Sequence, residues 1–304
     1  MTRRPALGYA MVLTAATLWA LNGAVSKVIL QSGGVSSERL TQARSTGAFL
    51  LLFAVLVVVR RSSLRVSLRE LPFLAVFGVA GLAFVAWFYF VAIERLEIGV
   101  ALLIQYIAPV LVALWARYVL HEPVRQRIWA ALGLSIVGLA LLVEIWQGIE
   151  LDGVGLLASL GAAVTFALYI LMADRGLRTR STSSLLAYGF LFAALFWAIV
   201  QPWASFPWEL LDDSVSLLGR LEGIELPVWL LMAWMIVLGT IVPFGLLVGS
   251  LRHITPTRAG ILAMFEPVAG TVIAYAWLEE ALSAPQLLGA VVVLSGICIA
   301  QTAR

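Results

Sequence analysis

Glu266 is the acid most deeply set in an apolar stretch of this chain, which runs over residues 256–278. An ionised carboxylate inside a membrane is costly, so it must face the bundle interior, pair with a cation or bind a proton. Glu266 could therefore hold a substrate ammonium group, couple a proton, or make a structural hydrogen bond to a neighbouring helix. Lys27 and Arg44 are its cationic counterparts, placed in the outer halves of the first two apolar stretches. Either could attract a carboxylate, pair with Glu38 or Glu266, or snorkel to the surface along its aliphatic stem. Asn22 and Gln105 are uncharged polar groups well inside apolar stretches. They need partners, which a substrate or an interhelical hydrogen bond can supply.

Aromatic residues surround these groups in the sequence. Trp87, Phe88, Tyr89 and Phe90 run consecutively. Together with Trp19, Tyr106, Phe166, Tyr169, Phe244 and Phe265 they could line a cavity that accepts a ring. Four consecutive helical residues cannot share one face, so part of the run must point elsewhere. Pro109, Pro243 and Pro267 each remove a backbone hydrogen bond inside an apolar stretch. They provide a hinge and a free carbonyl, or a static kink filled by neighbours. The two histidines, His121 and His253, fall in separate loops. No metal-ligand spacing, nucleophile constellation or phosphate loop is present, so neither metal nor cofactor is expected.

The elements that position these residues are membrane helices. The chain is 62% hydrophobic and 12% charged, with a mean hydropathy of +1.00. A spanning helix needs about 20 apolar residues, and ten stretches approach or exceed that length: 7–30, 38–59, 71–93, 97–119, 127–146, 153–174, 183–203, 228–251, 256–278 and 284–302. Alternating segments of the barrel type are missing. The first stretch follows Arg3 and Arg4 but has no small-residue cleavage site, so it reads as a retained helix. The lone Cys298 excludes an intrachain disulfide and reads as a packing residue. The basic residues are dispersed over short loops, which does not suggest nucleic-acid binding. The longest connection, 204–227, is either a surface helix presenting Leu210, Leu211, Leu217, Leu218 and Leu221 or an irregular loop. With the N-terminus in the cytoplasm, 15 of the 20 basic residues fall on the cytoplasmic side, as the positive-inside rule requires. Both termini are then cytoplasmic.

Residues 97–143 and 255–301 are weak copies at a constant offset of 158, with Pro109/Pro267, Glu122/Glu280 and Gly138/Gly296 among seven identities. Residues 8–20 match 155–167 at an offset of 147. The repeat unit thus spans five helices, 1–147 and 148–304. Because five is odd, the second copy enters the membrane from the opposite side. Inverted repeats are a recurrent basis for alternating access around a mid-membrane site.

In motif order and spacing the chain resembles the drug/metabolite transporter superfamily, in its EamA-type branch. Trp19-Ala20-Leu21-Asn22 is similar to the family pattern of the first helix. Arg44-Ser45-Thr46-Gly47-Ala48 is similar to that of the second. Pro109 with Glu122 and Pro267 with Glu280 resemble the family's fourth and ninth helices, and Gly133, Gly138, Gly289 and Gly296 its fifth and tenth. The second half departs at Phe166-Ala167-Leu168-Tyr169, which replaces the first-helix motif. The resemblance implies an all-α integral membrane protein of ten transmembrane helices in a bacterial inner membrane. It implies a secondary transporter that exports small metabolites across the lipid bilayer. The YddG-like aromatic amino acid exporters are the nearest branch, which implies an amino acid or related small-molecule substrate; purines, sugars or drugs are the alternative cargo. Substrate contact is expected from Trp19, Asn22, Arg44, Tyr89, Gln105, Tyr106, Phe166, Tyr169, Phe244, Phe265 and Glu266. Hinge or gating roles are expected from Pro109, Pro243, Pro267, Glu122 and Glu280.

Overall fold

The computed structural model describes residues 4–31, 35–96, 98–121, 123–146, 152–277, 279 and 281–302. Among them, nine helices are long and apolar enough to cross a membrane. These are α1 (Pro5–Leu30), α2 (Ser37–Val59), α3 (Leu71–Arg95), α4 (Gly99–Tyr118), α6 (Gly153–Gly176), α7 (Thr182–Val200), α8 (Val228–Ser250), α9 (Pro256–Trp277) and α10 (Ala284–Thr302). A further apolar helix, α5 (Gln126–Leu142), has 17 residues. It stops earlier than the apolar pattern suggests, because the chain turns over Val143–Trp146 and Glu144 takes a left-handed φ of 52°. Glu122 and Glu280, expected at helix ends, lie outside the described residues. The residues just before them, His121 and Glu279, are 158 apart and both left-handed, with φ of 54° and 62°.

The helices interleave. α1 packs on α8 and α9, whereas α6 packs on α3 and α4; α2 pairs with α7 and α5 with α10. With nearly every surface apolar, the buried face is selected by small residues that let backbones approach. In α1 these are Ala15, Ala16, Ala20 and Ala24. The α5–α10 contact is the tightest example. A Cβ on Gly289 would lie 2.5 Å from Leu142 N and 2.7 Å from Gly138 O, and one on Gly138 would lie 2.7 Å from Val293 N. Gly289→Ala is therefore expected to destabilise the protein by about 1–3 kcal/mol, since backbone cannot yield as a side chain can. Thermal unfolding in detergent checks this, as a lowered Tm. Cys298 on the same helix is exposed, not packed.

The α2–α7 pair is antiparallel and pinned at both ends. Arg39, at the start of α2, donates to Pro202 O (3.0 Å) and Ser205 Oγ (2.6 Å) beyond the end of α7. Arg180, just before α7, donates to Arg65 O (3.0 Å) and Glu70 (2.5 Å) beyond the end of α2. Both guanidinium groups are buried, and carbonyl and carboxylate acceptors supply the partners that burial demands.

Four helices are irregular, at equivalent places. α3 contains a π-helical segment over Phe77–Ala83 and α8 one over Val237–Ile241; residues 79–83 and 237–241 coincide at the 158 offset. α4 breaks at Tyr106–Ile107 and α9 at Met264, again 158 apart at their first shared position. Pro109 and Pro267 follow these breaks in the first turn of the next helical piece, where a missing N–H costs nothing. Pro243 stands two residues beyond the π segment of α8.

Residues 201–227 form neither of the two expected structures. Pro202, Pro207, Gly219, Gly223 and Pro227 interrupt any continuous helix. The segment folds as short 3₁₀ turns and an antiparallel hairpin of β1 (Ser214–Ser216) and β2 (Glu225–Pro227). This hairpin is the departure from an all-helical chain among the described residues. Leu217 is buried against α1 and α8, and its carbonyl accepts from Trp277 Nε1 at 2.8 Å.

Candidate functional site

One face of α1 creates the site. Trp19, Asn22, Gly23, Ser26 and Lys27 recur at helical spacing and all line a cavity of about 320 Å³. α2 contributes Arg44 opposite, α3 contributes Tyr89, Phe90 and Glu94, and α4 contributes Gln105. Phe166 of α6, Phe244 of α8 and Glu266 of α9, with the apolar Leu30, Val85, Ala86 and Ile93, complete the wall. The residues come from both halves of the chain because α1 and α8–α9 interlock.

Arg44 is buried, with 7% of its surface exposed, so it does not snorkel. Its Nε donates to Thr240 Oγ1 at 3.2 Å, and its guanidinium lies 5.9 Å and 6.0 Å from the ring centroids of Phe90 and Phe244. Two aromatic faces hold a cation that has shed its water. The π segment of α8 delivers Thr240 to this position, and the Thr240 hydroxyl itself donates to Met235 O at 2.9 Å. Asn22 packs against the neighbouring Gly239, and Tyr169 packs at the corresponding Gly81 of α3. Arg44 has no ion pair within 4.0 Å among the described residues.

Glu266 accepts a hydrogen bond from the Tyr106 hydroxyl at 2.6 Å. No other hydrogen bond or ion pair of Glu266 is found among the described residues. The breaks in α4 and α9 bring these two side chains together, since each stands beside the interrupted turn of its helix. Arg44 and Glu266 thus face one cavity with opposite charges that do not neutralise each other by contact. Asn22, Ser26 and Gln105 also line this cavity, while Asn22 Oδ1, Ser26 Oγ and Gln105 Oε1 are buried behind its surface without hydrogen-bond partners. Burying such atoms unpaired costs about 1–3 kcal/mol each.

Not every expected residue reaches this cavity. Tyr106 is fully buried and holds Glu266 in place. Tyr169 is fully buried and stacks on Phe77 and Phe166 at 5.8 and 6.1 Å. Phe265 packs against the core. Of the aromatic run, Tyr89 and Phe90 line the cavity, while Trp87 and Phe88 stack on each other and Trp87 meets Trp197 edge-on. Pro109 is buried against Gly260. Sequence reasoning missed Ser26, Glu94 and Thr240. Ser26 had a signal, one turn beyond Asn22. Glu94 looked like a loop acid, yet it lines the cavity and accepts a hydrogen bond from Ser37. Thr240 had none, because its direction depends on the π segment.

A second cavity of about 540 Å³ adjoins the first. The two share Trp19, Gly23, Lys27, Tyr89 and Glu266. From that junction the second extends between α1, α4, α5 and α9, past Pro267 and Gly270, to the start of α10 at Gln286.

Comparison with known proteins agrees with this architecture. The EamA-like transporter family matches residues 6–144 and again 153–302. An uncharacterized inner membrane transporter, YicL of Salmonella typhimurium, is 23% identical over 96% of this chain and 94% of its own length. An uncharacterized transporter of Archaeoglobus fulgidus is 27% identical over 76% of each chain. The threonine/homoserine exporter RhtA of Escherichia coli is 26% identical over 75% of this chain and 70% of its own. A solved crystal structure with 21% identity superposes with a TM-score of 0.74 over 98% of both chains, which shows a shared fold. The apolar helices, the internal charged cavity and the matches over both halves place this multi-pass membrane protein in the EamA-like transporter family, as a transporter and not an enzyme.

Proposed function

We propose that the protein is an inner-membrane exporter of amino acids with apolar or aromatic side chains, working by alternating access. The observation that carries this reading is the unpaired placement of Arg44 and Glu266 across one cavity. A zwitterion meets both, its carboxylate at the guanidinium and its ammonium at Glu266. Charged partners in a site of low dielectric interact far more strongly than in water.

Ten transmembrane helices in two inverted repeats, 1–147 and 148–304, provide the two-state frame. That division is supported by the paired π segments, the paired helix breaks and the family match over each half. The distribution of basic residues supports cytoplasmic termini. In that orientation both cavities reach the outer ends of the helices, at Leu30 and Glu94 in one and at Leu96 and Gln286 in the other. The inner side is closed where Ile254 packs on Gly8 and Arg258 meets the Tyr9 hydroxyl at 3.4 Å. The conformation is therefore outward-facing.

Purified protein in liposomes preloaded with phenylalanine, leucine or alanine is expected to drive saturable counterflow of the same labelled amino acid. Counterflow of a purine or a sugar with none of any amino acid would overturn the reading.

A further inference from the structure

We infer that a second substrate-contacting surface lies between α6 and α8 around Tyr169, closed in this conformation and opened on the cytoplasmic side when the outer cavity shuts; this rests on the alternating-access reading above. The two halves repeat contacts as well as residues. Offsets of 147 for α1 and α6 and 158 for α3 and α8 relate Asn22 beside Gly239 to Tyr169 beside Gly81. They also relate Gly8, where a Cβ would meet Ile254 and His253, to Gly155, where one would meet Leu96 and Arg95. Ser36 and Ser181 cap α2 and α7 alike and stand 145 residues apart. At that offset Gly47, next to Ile236, corresponds to Phe192, next to Gly78.

The same offsets project the wall of the first cavity onto an equivalent surface in the other half. Trp19 with Phe166 and Ala86 with Phe244 are mates, and all four line the first cavity, so they mark the level where the two surfaces meet. On the outer side of that level Gly23, Tyr89 and Ile93 are partly exposed in the cavity. Their mates on the inner side, Ile170, Leu247 and Leu251, are buried. Tyr169 and Phe244 meet there edge to face, with ring centroids 5.3 Å apart.

Polarity is not repeated. Asn22, Ser26, Arg44, Tyr89, Gln105 and Glu266 of the first cavity correspond to Tyr169, Ala173, Gly189, Leu247, Ala263 and Ala108. Of these mates only Tyr169 has a side chain that forms hydrogen bonds. It is fully buried, and its hydroxyl has no hydrogen-bond partner among the described residues. A buried hydroxyl normally has one. The rings packed on Tyr169, those of Phe77, Phe166 and Phe244, offer none. Phenylalanine would pack here equally well, so packing alone does not account for the hydroxyl. An inward opening gives it the amino-acid head group or water as partner. The hydroxyl therefore favours the inward-open state, and the apolar remainder of the surface seals when shut.

Cysteine labelling of the full-length protein tests this, in a Cys298→Ser background and with a membrane-impermeant methanethiosulfonate. Gly23→Cys reports the outer cavity, and Ala173→Cys and Ile170→Cys report the inner surface. Gly23→Cys is expected to react in intact cells, and the two inner cysteines in inverted vesicles. If one inner variant does not fold, the other carries the test. Adding Tyr169→Phe is expected to slow inner labelling and counterflow by about tenfold, the worth of one hydrogen bond made in one state only. Labelling at Gly23→Cys should not slow, and Tm should not fall. Inner cysteines that stay unlabelled in a protein active in counterflow overturn this surface and leave alternating access standing. Inner labelling that Tyr169→Phe leaves unchanged overturns the role of the hydroxyl. Labelling of outer and inner cysteines from the same side overturns alternating access and this surface together.

Discussion

Glu266→Gln is expected to lower counterflow of a zwitterionic amino acid by about 100-fold, with little change in folding. The substitution keeps shape and keeps an acceptor for the Tyr106 hydroxyl, whose bond to Glu266 is 2.6 Å. Only the negative charge is removed. Removing one member of a desolvated charge pair costs about 2–5 kcal/mol, and each 1.4 kcal/mol is about tenfold in affinity. The loss should appear as an unsaturated rate across the accessible substrate range, in a protein whose Tm matches wild type. Transport retained within about threefold would show that the ammonium does not meet this carboxylate.

Arg44→Met should have a similar effect, restricted by substrate chemistry. We expect about a 100-fold loss for phenylalanine but less than about threefold for phenylalaninamide, which lacks the carboxylate. The variant should fold, because Thr240 keeps Met235 O as acceptor when the guanidinium is gone. Methionine also fills the space between Phe90 and Phe244 with favourable sulfur–ring contacts. Arg44→Lys should not restore transport. An ammonium cannot present a planar fork to a carboxylate while lying between two rings. Equal losses for the acid and the amide would exclude carboxylate recognition by Arg44. Competition of each analogue against labelled phenylalanine measures both.

Much of this arrangement was legible in the residues. An apolar chain of this kind points to membrane-spanning helices, and nine helices of that length are found among the described residues. Glu266 stands out because burying a carboxylate requires a reason. Asn22, Arg44 and Gln105 stand out on the same ground, and all line the first cavity. Side-chain direction was not legible. In a helix with lipid on one side and protein on the other, both faces are apolar, so periodicity distinguishes them weakly. Tyr106 and Tyr169 therefore looked as able to touch substrate as Tyr89 did. The π segments are invisible in composition, and they decide where Thr240 points. The hairpin at 214–227 was hidden because its pairing depends on the helices it covers, and three-residue strands carry almost no pattern of their own.

The paired π segments also bear on ancestry. A π turn accommodates one residue more than an α turn over the same rise, so it records a small insertion that the helix absorbed without breaking. In this chain the same irregularity occurs in α3 and α8 at the same offset as the shared prolines. Two independent insertions at matching places are a less economical history than one inherited twice. One irregularity, copied together with the segment that carries the shared prolines, accounts for both places. Val79–Ala83 and Val237–Ile241 share only a valine and a glycine, so the likeness lies in backbone geometry more than in side chains.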